Sequence, residues 1–203
     1  IASLAGACRL WHLERTLPWN DGGQRLLPTS LFLDYKAQMN TYRDKFNALV
    51  DEFVANYPAL VQTAQNYLGG LFNPDDYPSA EQVRSKFSFD LSFSPVPQSG
   101  DFRLDVPATA LFELSQQYEN SFNKRMADAM REPWDRMHKA LTTITQKLTD
   151  KDGDEKKRYH DSLLGNVQDL CKLLTHLNVG KDPALEEARR EIEGMLSGTS
   201  MDL

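Results

Sequence analysis

Residues 32–57 read FLDYKAQMNTYRDKFNALVDEFVANY, and within them Phe32, Tyr35, Met39, Tyr42, Phe46, Leu49 and Phe53 follow alternating steps of three and four. That spacing places seven large apolar side chains on one seam of a helix. The Tyr57-Pro58 pair is expected to end it. Aromatic rings along the seam are bulkier than a tight two-stranded coil accepts, so the pattern predicts long antiparallel helices in a bundle or coiled-coil hairpin. Leu33, Val50 and Val54 widen the stripe, so a second apolar surface is expected to meet it, through self-association or a contact with a missing segment.

Helical patterns continue on either side. Pro58 reads as the first-turn residue of a shorter helix with Leu60, Val61, Ala64, Tyr67 and Leu68 facing inward, stopped by Gly69-Gly70. Ser79 followed by Gln82 is a capping-box pair that predicts a short helix through Ser85. Residues 107–149 read as one long helical stretch interrupted only by Pro133, where a kink or a restart is expected. After a charged turn over residues 150–157, Leu163, Val167, Leu170, Leu174 and Leu177 mark another helix. Asp182-Pro183 supply a cap and a first-turn proline for a last one, lined by Leu185, Ala188, Ile192 and Met195.

The period changes at Phe87, where Phe87, Phe89, Leu91 and Phe93 alternate with Ser88, Asp90, Ser92 and Ser94. Alternation of this kind is the mark of a half-buried strand. Phe102, Leu104 and Val106 alternate again after Pro95-Val96-Pro97, so residues 87–106 are predicted to form a β-hairpin docked on the helices. The expected class is therefore mainly α with a small β-hairpin, an α+β arrangement.

The amino terminus, IASLAGAC, ends in small residues before Cys8 as lipoprotein signals do. It lacks a basic region and a long apolar run, so it does not read as a signal. Ile1, Leu4, Cys8 and Trp11 instead follow helical spacing, and residues 1–27 read as the end of a truncated N-terminal helix followed by an ordered loop. Residues 28–198 read as a helical domain with the hairpin inserted, and residues 199–203 as a frayed tail.

The 203 residues are 40% hydrophobic and 26% charged, with a net charge of -6; the balance suits a water-soluble folded chain and argues against membrane insertion and disorder. No third of the chain is net basic, which argues against generic affinity for nucleic-acid phosphates. Cys8 and Cys171 form no CxxC pattern, and a reducing compartment is the simplest setting.

Motifs for chemistry are sparse. Asp150-Lys151-Asp152-Gly153-Asp154-Glu155 has its glycine at the fourth position and Asp161 at the twelfth, which departs from a calcium loop and reads as a solvated turn. His12, His138, His160 and His176 show no zinc-ligand spacing. Neither Gly22-Gly23 nor Gly69-Gly70 stands in a phosphate-cradling frame. The reading is of a non-enzymatic protein with no metal or other cofactor and no catalytic residue. Trp11, His12, Trp19, Phe32, Tyr35, Met39, Tyr42 and Phe46 form the candidate interaction surface. As an alternative, Lys124, Arg125, Arg131, Arg136 and Lys139 share one side of the long helix and form a candidate nucleic-acid face. Asp128, Glu132 and Asp135 lie on that same side, with Glu132 four residues before Arg136 and Asp135 four before Lys139, the favourable order for helical ion pairs.

Several segments resemble a family of uncharacterised proteins of tailed bacteriophages and prophages. They are Thr16-Leu17-Pro18-Trp19, Arg25-Leu26-Leu27-Pro28, Asn56-Tyr57-Pro58-Ala59-Leu60, Asp76-Tyr77-Pro78, Pro95-Val96-Pro97, Gly100-Asp101-Phe102-Arg103 and Leu177-Asn178-Val179. The resemblance spans nearly the whole chain. It implies a phage-encoded protein in the cytoplasm of a bacterial host, with an additional N-terminal segment. It also hints at a phage ring-forming ATPase as a partner, and it brings no activity or catalytic residues. Function is then expected in helical protein–protein interaction, self-association or assembly, with a nucleic-acid-handling accessory role in phage replication or recombination as the alternative.

Overall fold

A computed structural model describes residues 1–20, 22–99, 107–149 and 154–199. Among these the chain is mainly helical with one small β-hairpin. In order they are α1 (Ala2–Arg15), β1 (Leu17–Pro18), β2 (Arg25–Leu26), α2 (Phe32–Leu68), α3 (Ala80–Arg84), α4 (Ala108–Thr149), α5 (Asp154–Leu177) and α6 (Pro183–Thr199). The chain divides into two compact units, Ile1–His12 with Leu33–Pro95, and Leu13–Phe32 with Val96–Leu203.

In the first unit the helix predicted to end at Tyr57 runs on through Pro58 to Leu68. Proline removes one backbone donor and crowds the preceding turn, but Pro58 sits on the exposed side, where a freed carbonyl tilts toward water as helices bow. The inner stripe is Tyr35, Met39, Tyr42, Phe46, Val50, Phe53 and Tyr57, with Tyr35, Met39, Phe46 and Val50 buried. Val50 replaces the expected Leu49, which is 36% exposed. The sequence reading assumed a 3.5-residue heptad, whereas the observed steps average close to the 3.6-residue turn of a straight helix. Further along, Leu60, Tyr67 and Leu68 face outward, against expectation, and only Val61 and Ala64 stay half-buried. Gly69 follows with a φ of 54°, the left-handed conformation that ends a helix without a Cβ clash.

Ser79 starts α3 as predicted: its hydroxyl accepts from the Gln82 amide at 3.2 Å, while the Gln82 side chain accepts from the Ser79 amide at 2.9 Å. Arg84 then pairs with Asp51 of α2 at 3.2 Å. The predicted hairpin over 87–106 is corrected in its first half, since residues 87–99 form no strand pairing among the described residues, and 100–106 lie outside them. Side-chain alternation survives: Phe87, Phe89 and Leu91 are half-buried while Ser88, Asp90 and Ser92 are exposed. Phe87 meets Phe46 and Phe53 at ring distances of 6.4 and 5.9 Å, and Phe89 meets Phe46 at 5.9 Å. The segment is held by its rings against α2, not by a neighbouring strand.

In the second unit the small hairpin lies where a loop was expected. β1 and β2 pair antiparallel, Leu17 opposite Leu26 and Pro18 opposite Arg25, and Gly23 at the tip has a φ of 81°, a value that favours glycine in such turns. Two-residue strands carry too little alternation for the sequence to reveal them. What fixes the hairpin is burial of Leu17 against Ala129 of α4 and Leu177 of α5, all fully buried. The small Ala129 side chain lets the strand lie close.

α4, α5 and α6 form a helical bundle around Met137, Val167, Cys171, Leu174, Leu185, Ile192 and Leu196. Leu196 takes the place assigned to Met195, which is 70% exposed. The long helix is continuous through Pro133 with no restart, and Pro133 is itself fully buried, so its ring contributes packing where its missing N–H costs a bond. α5 begins at Asp154, inside the expected charged turn. Residues 150–153 lie outside the described ones. Asp182 caps α6 as predicted, its Oδ1 accepting from Ala184 N at 2.9 Å and Leu185 N at 3.4 Å. Asn178 closes the α5–α6 turn by exchanging two bonds with the Asp182 backbone, at 2.9 and 2.8 Å.

Candidate functional site

Six of the eight residues of the candidate interaction surface converge in the first unit. Half-buried Trp11 and His12 on α1 lie over Tyr35 and Tyr42 of α2, with Trp11 ring distances of 5.4 and 6.1 Å. His12 Nδ1 and the Tyr35 hydroxyl share a hydrogen bond of 2.7 Å, the hydroxyl donating when Nδ1 carries no proton. Met39 lies one turn along, where the Cys8 thiol donates to its Sδ at 3.7 Å, and Phe46 lies under Phe87 and Phe89. The second apolar surface demanded by the aromatic stripe is therefore supplied within the unit, by α1 and the 87–93 segment.

The other two residues stand elsewhere. Trp19, after β1, packs edge-on against Phe122 of α4 at 5.6 Å, and Phe32 opens α2 at 36% exposure. Both belong to the second unit.

The three layers of the first unit do not close completely. A groove of about 350 Å³ remains between α1, α2 and the 87–93 segment. Its floor is Tyr35, Met39, Tyr42 and Phe46, one wall is Leu4, Ala5, Cys8, Arg9 and His12, and the other is Ser88, Phe89, Asp90 and Leu91. Burial pushes the Cys8 thiol above its ordinary value, so it is a weak nucleophile there. Sequence reading missed Leu4, Arg9, Phe89 and Leu91 as groove residues. Helical spacing from Cys8 and the Phe alternation were the available signals.

Two of the five residues of the candidate nucleic-acid face are engaged by acidic partners. Arg136 turns inward: its guanidinium donates to the carbonyls of Leu13 at 2.7 Å and Thr16 at 3.1 Å, and also to that of Glu14. Arg25 joins it, donating to Thr16 O and Thr16 Oγ1 at 2.7 Å each. Glu132 accepts from both arginines. This cluster satisfies carbonyls at the C-terminal end of α1, which have no partner inside the helix, and places cations where the helix dipole favours them. Arg131 pairs with Asp128 at 3.3 Å. The pair expected between Asp135 and Lys139 is not formed among the described residues. Lys124, Arg125 and Lys139 are exposed.

A third feature was not foreseen. Leu60, Tyr67 and Leu71, at the end of α2 and in the turn after it, are large apolar residues left 52%, 89% and 85% exposed.

No family model, no curated protein and no solved structure matches the chain. Among the described residues no helix is long and apolar enough to cross a membrane.

Proposed function

We propose that this chain is a non-enzymatic phage protein that acts through helical protein–protein interaction or assembly. The observation that carries the reading is the exposure of Leu60, Tyr67 and Leu71 near one end of α2. Clustered large apolar side chains in water favour association, which removes roughly 25 cal/mol of unfavourable free energy for each Å² buried. The resemblance of the sequence to a phage family supports the setting, and a second copy or a ring ATPase subunit is the partner class it suggests. Pairing of Arg136 and Arg131 with acidic groups tells against the nucleic-acid alternative.

The test compares the wild-type chain with a Leu60→Glu, Tyr67→Glu, Leu71→Glu variant in sedimentation velocity and in capture from phage-infected cells. The expected result is an oligomer or a defined partner that the wild type holds and the variant loses at an unchanged melting temperature. Identical sedimentation as monomers together with identical captured proteins would refute the reading.

A further inference from the structure

We propose that the N-terminal half of α4 is a docking surface for an extended, proline-containing segment of another protein, and that residues 96–99 of this chain are its resident occupant. This docking rests on the reading of the chain as an interaction protein, but through another element than the end of α2. α4 enters the buried clusters of the second unit with Ala129, Met130, Met137 and Ala140. Nearer its start, Leu114, Tyr118 and Phe122 are half-buried without belonging to either cluster. Tyr118 and Phe122 stack at a ring distance of 6.2 Å, and Trp19 stands edge-on to Phe122 at 5.6 Å, so three rings form a row.

The chemistry of the occupant is read from residues 96–99. The Tyr118 hydroxyl donates to the carbonyl of Pro97, and Ser99 Oγ donates to that of Ser115 in a long bond of 3.5 Å. Pro97 fixes its own φ, lacks an N–H and drives Val96 before it into an extended conformation. A segment of this kind makes no internal hydrogen bonds and pairs poorly in a sheet, so its carbonyls need donors from outside. Aromatic-lined surfaces are the usual receptors for such segments, whose extended form is set before binding. Here Tyr118 adds the donor. The resident segment is loosely seated, since residues 96–99 are all exposed. Tethering keeps it in place by raising its local concentration to roughly the millimolar range, and a free segment that binds more tightly displaces it.

The probe is a fluorescein-labelled peptide of residues 91–99, LSFSPVPQS, titrated with the full chain and followed by anisotropy. Two chains are compared, the wild type and a Pro95→Ser, Pro97→Ser chain whose resident segment is loosened. Saturable binding of one peptide is expected in the loosened chain, and binding weaker by about fivefold, the worth of one hydrogen bond, in the wild type. Tyr118→Phe keeps the ring and removes the donor, and should weaken binding to the loosened chain by about fivefold at an unchanged melting temperature. A Pro95→Ala, Pro97→Ala peptide should also bind about fivefold more weakly, because alanine restores chain freedom that is lost on docking. The Leu60→Glu, Tyr67→Glu, Leu71→Glu chain should bind the peptide as the wild type does, which separates this surface from the end of α2; loss of binding there would overturn the assignment to α4. No binding to the loosened chain at about millimolar protein, or binding unchanged by Tyr118→Phe, would overturn the site. Equal binding of the two peptides would overturn the proline requirement, and equal binding to the two chains would overturn the role of the resident segment. A wild-type dimer that the peptide dissociates would replace the separate partner with a second copy.

Discussion

Arg136, in the middle of α4, donates to the carbonyl oxygen of Leu13 at 2.7 Å, so the end of α1 is satisfied by a side chain more than a hundred residues away in sequence. The same guanidinium holds Glu132, four residues before it, and Arg25 completes the cluster from β2. A pair that reads in the sequence as surface charge is thus an internal bracket tying α4 to the end of α1 and the hairpin.

Removing that bracket should be costly. In Arg136→Ala the carbonyls of Leu13, Glu14 and Thr16 lose a charged donor and Glu132 loses half its partners. Bonds to charged groups contribute about 1.5–3 kcal/mol each, and a loss of about that size is expected in urea unfolding followed by circular dichroism. Arg136→Lys keeps the charge without the planar fork and should fall between. A change of less than about 0.5 kcal/mol in Arg136→Ala, the scale of ordinary surface substitutions, would show that the bracket is not formed in solution.

Acid should loosen the second unit through α6. Hydrogen bonds from Arg189, and then Arg190, hold the Glu186 carboxyl at about 2 against an ordinary 4.5. Asp182 is also lowered, chiefly by the Trp134 indole N–H that donates to it at 3.0 Å. A carboxylate with a depressed folded-state value stabilises the fold above its unfolded value, and that contribution is lost as pH falls through the folded one. The urea midpoint should therefore drop between about pH 5 and pH 2, and Glu186→Gln should drop less over the same interval. Parallel pH profiles for the two proteins would contradict this.

The extended segment offers a sharp contrast between neighbours. Phe89 is half-buried against Phe46, whereas Asp90 is exposed. Phe89→Asp loses an aromatic pair and apolar burial, together about 1–3 kcal/mol, while Asp90→Ser should change stability by no more than about 0.5 kcal/mol. Equal urea midpoints for the two variants would mean that the ring does not face α2.

These cases show which features a single sequence carries. Alternation at residues 87–91 correctly says which side chains point inward, because that depends only on an extended backbone, whereas Phe93, assigned to the same side, is 44% exposed. It is silent on pairing, because a layer of aromatic rings on α2 buries the same face as a sheet would. The true hairpin escapes for the opposite reason: Leu17 and Leu26 are too few to show a period, and only contact with Ala129 and Leu177 reveals the strand. Capping at Ser79 and Asp182 is legible because donors and acceptors lie within a few residues. Six residues of the candidate surface lie together in the first unit and two lie apart, since a helical stripe names its own members but not the element that will cover them. The bonds of Arg136 to the end of α1 were not legible because nothing local marks a carbonyl at the end of a distant helix.

The basic side of α4 gives the last expectation. Of Lys124, Arg125, Arg131, Arg136 and Lys139, Arg136 is half-buried in the bracket and Arg131 is paired with Asp128. Three exposed cations remain, with Asp135 exposed among them, on a chain of net charge -6. Affinity for a phosphate backbone grows with the number of phosphates neutralised, and so does its sensitivity to salt. Three cations beside acidic neighbours fall short of the six to ten contacts of a typical strong binder. Fluorescence anisotropy with labelled single- and double-stranded oligonucleotides at physiological salt should show no saturable binding below about 100 μM, within the range of non-specific association. Micromolar or tighter binding that weakens steeply with salt and vanishes in Lys124→Glu, Arg125→Glu would reverse the ranking of the two functions. Loss of binding in Arg136→Glu would not bear on the question, because that change also breaks the bracket on α1.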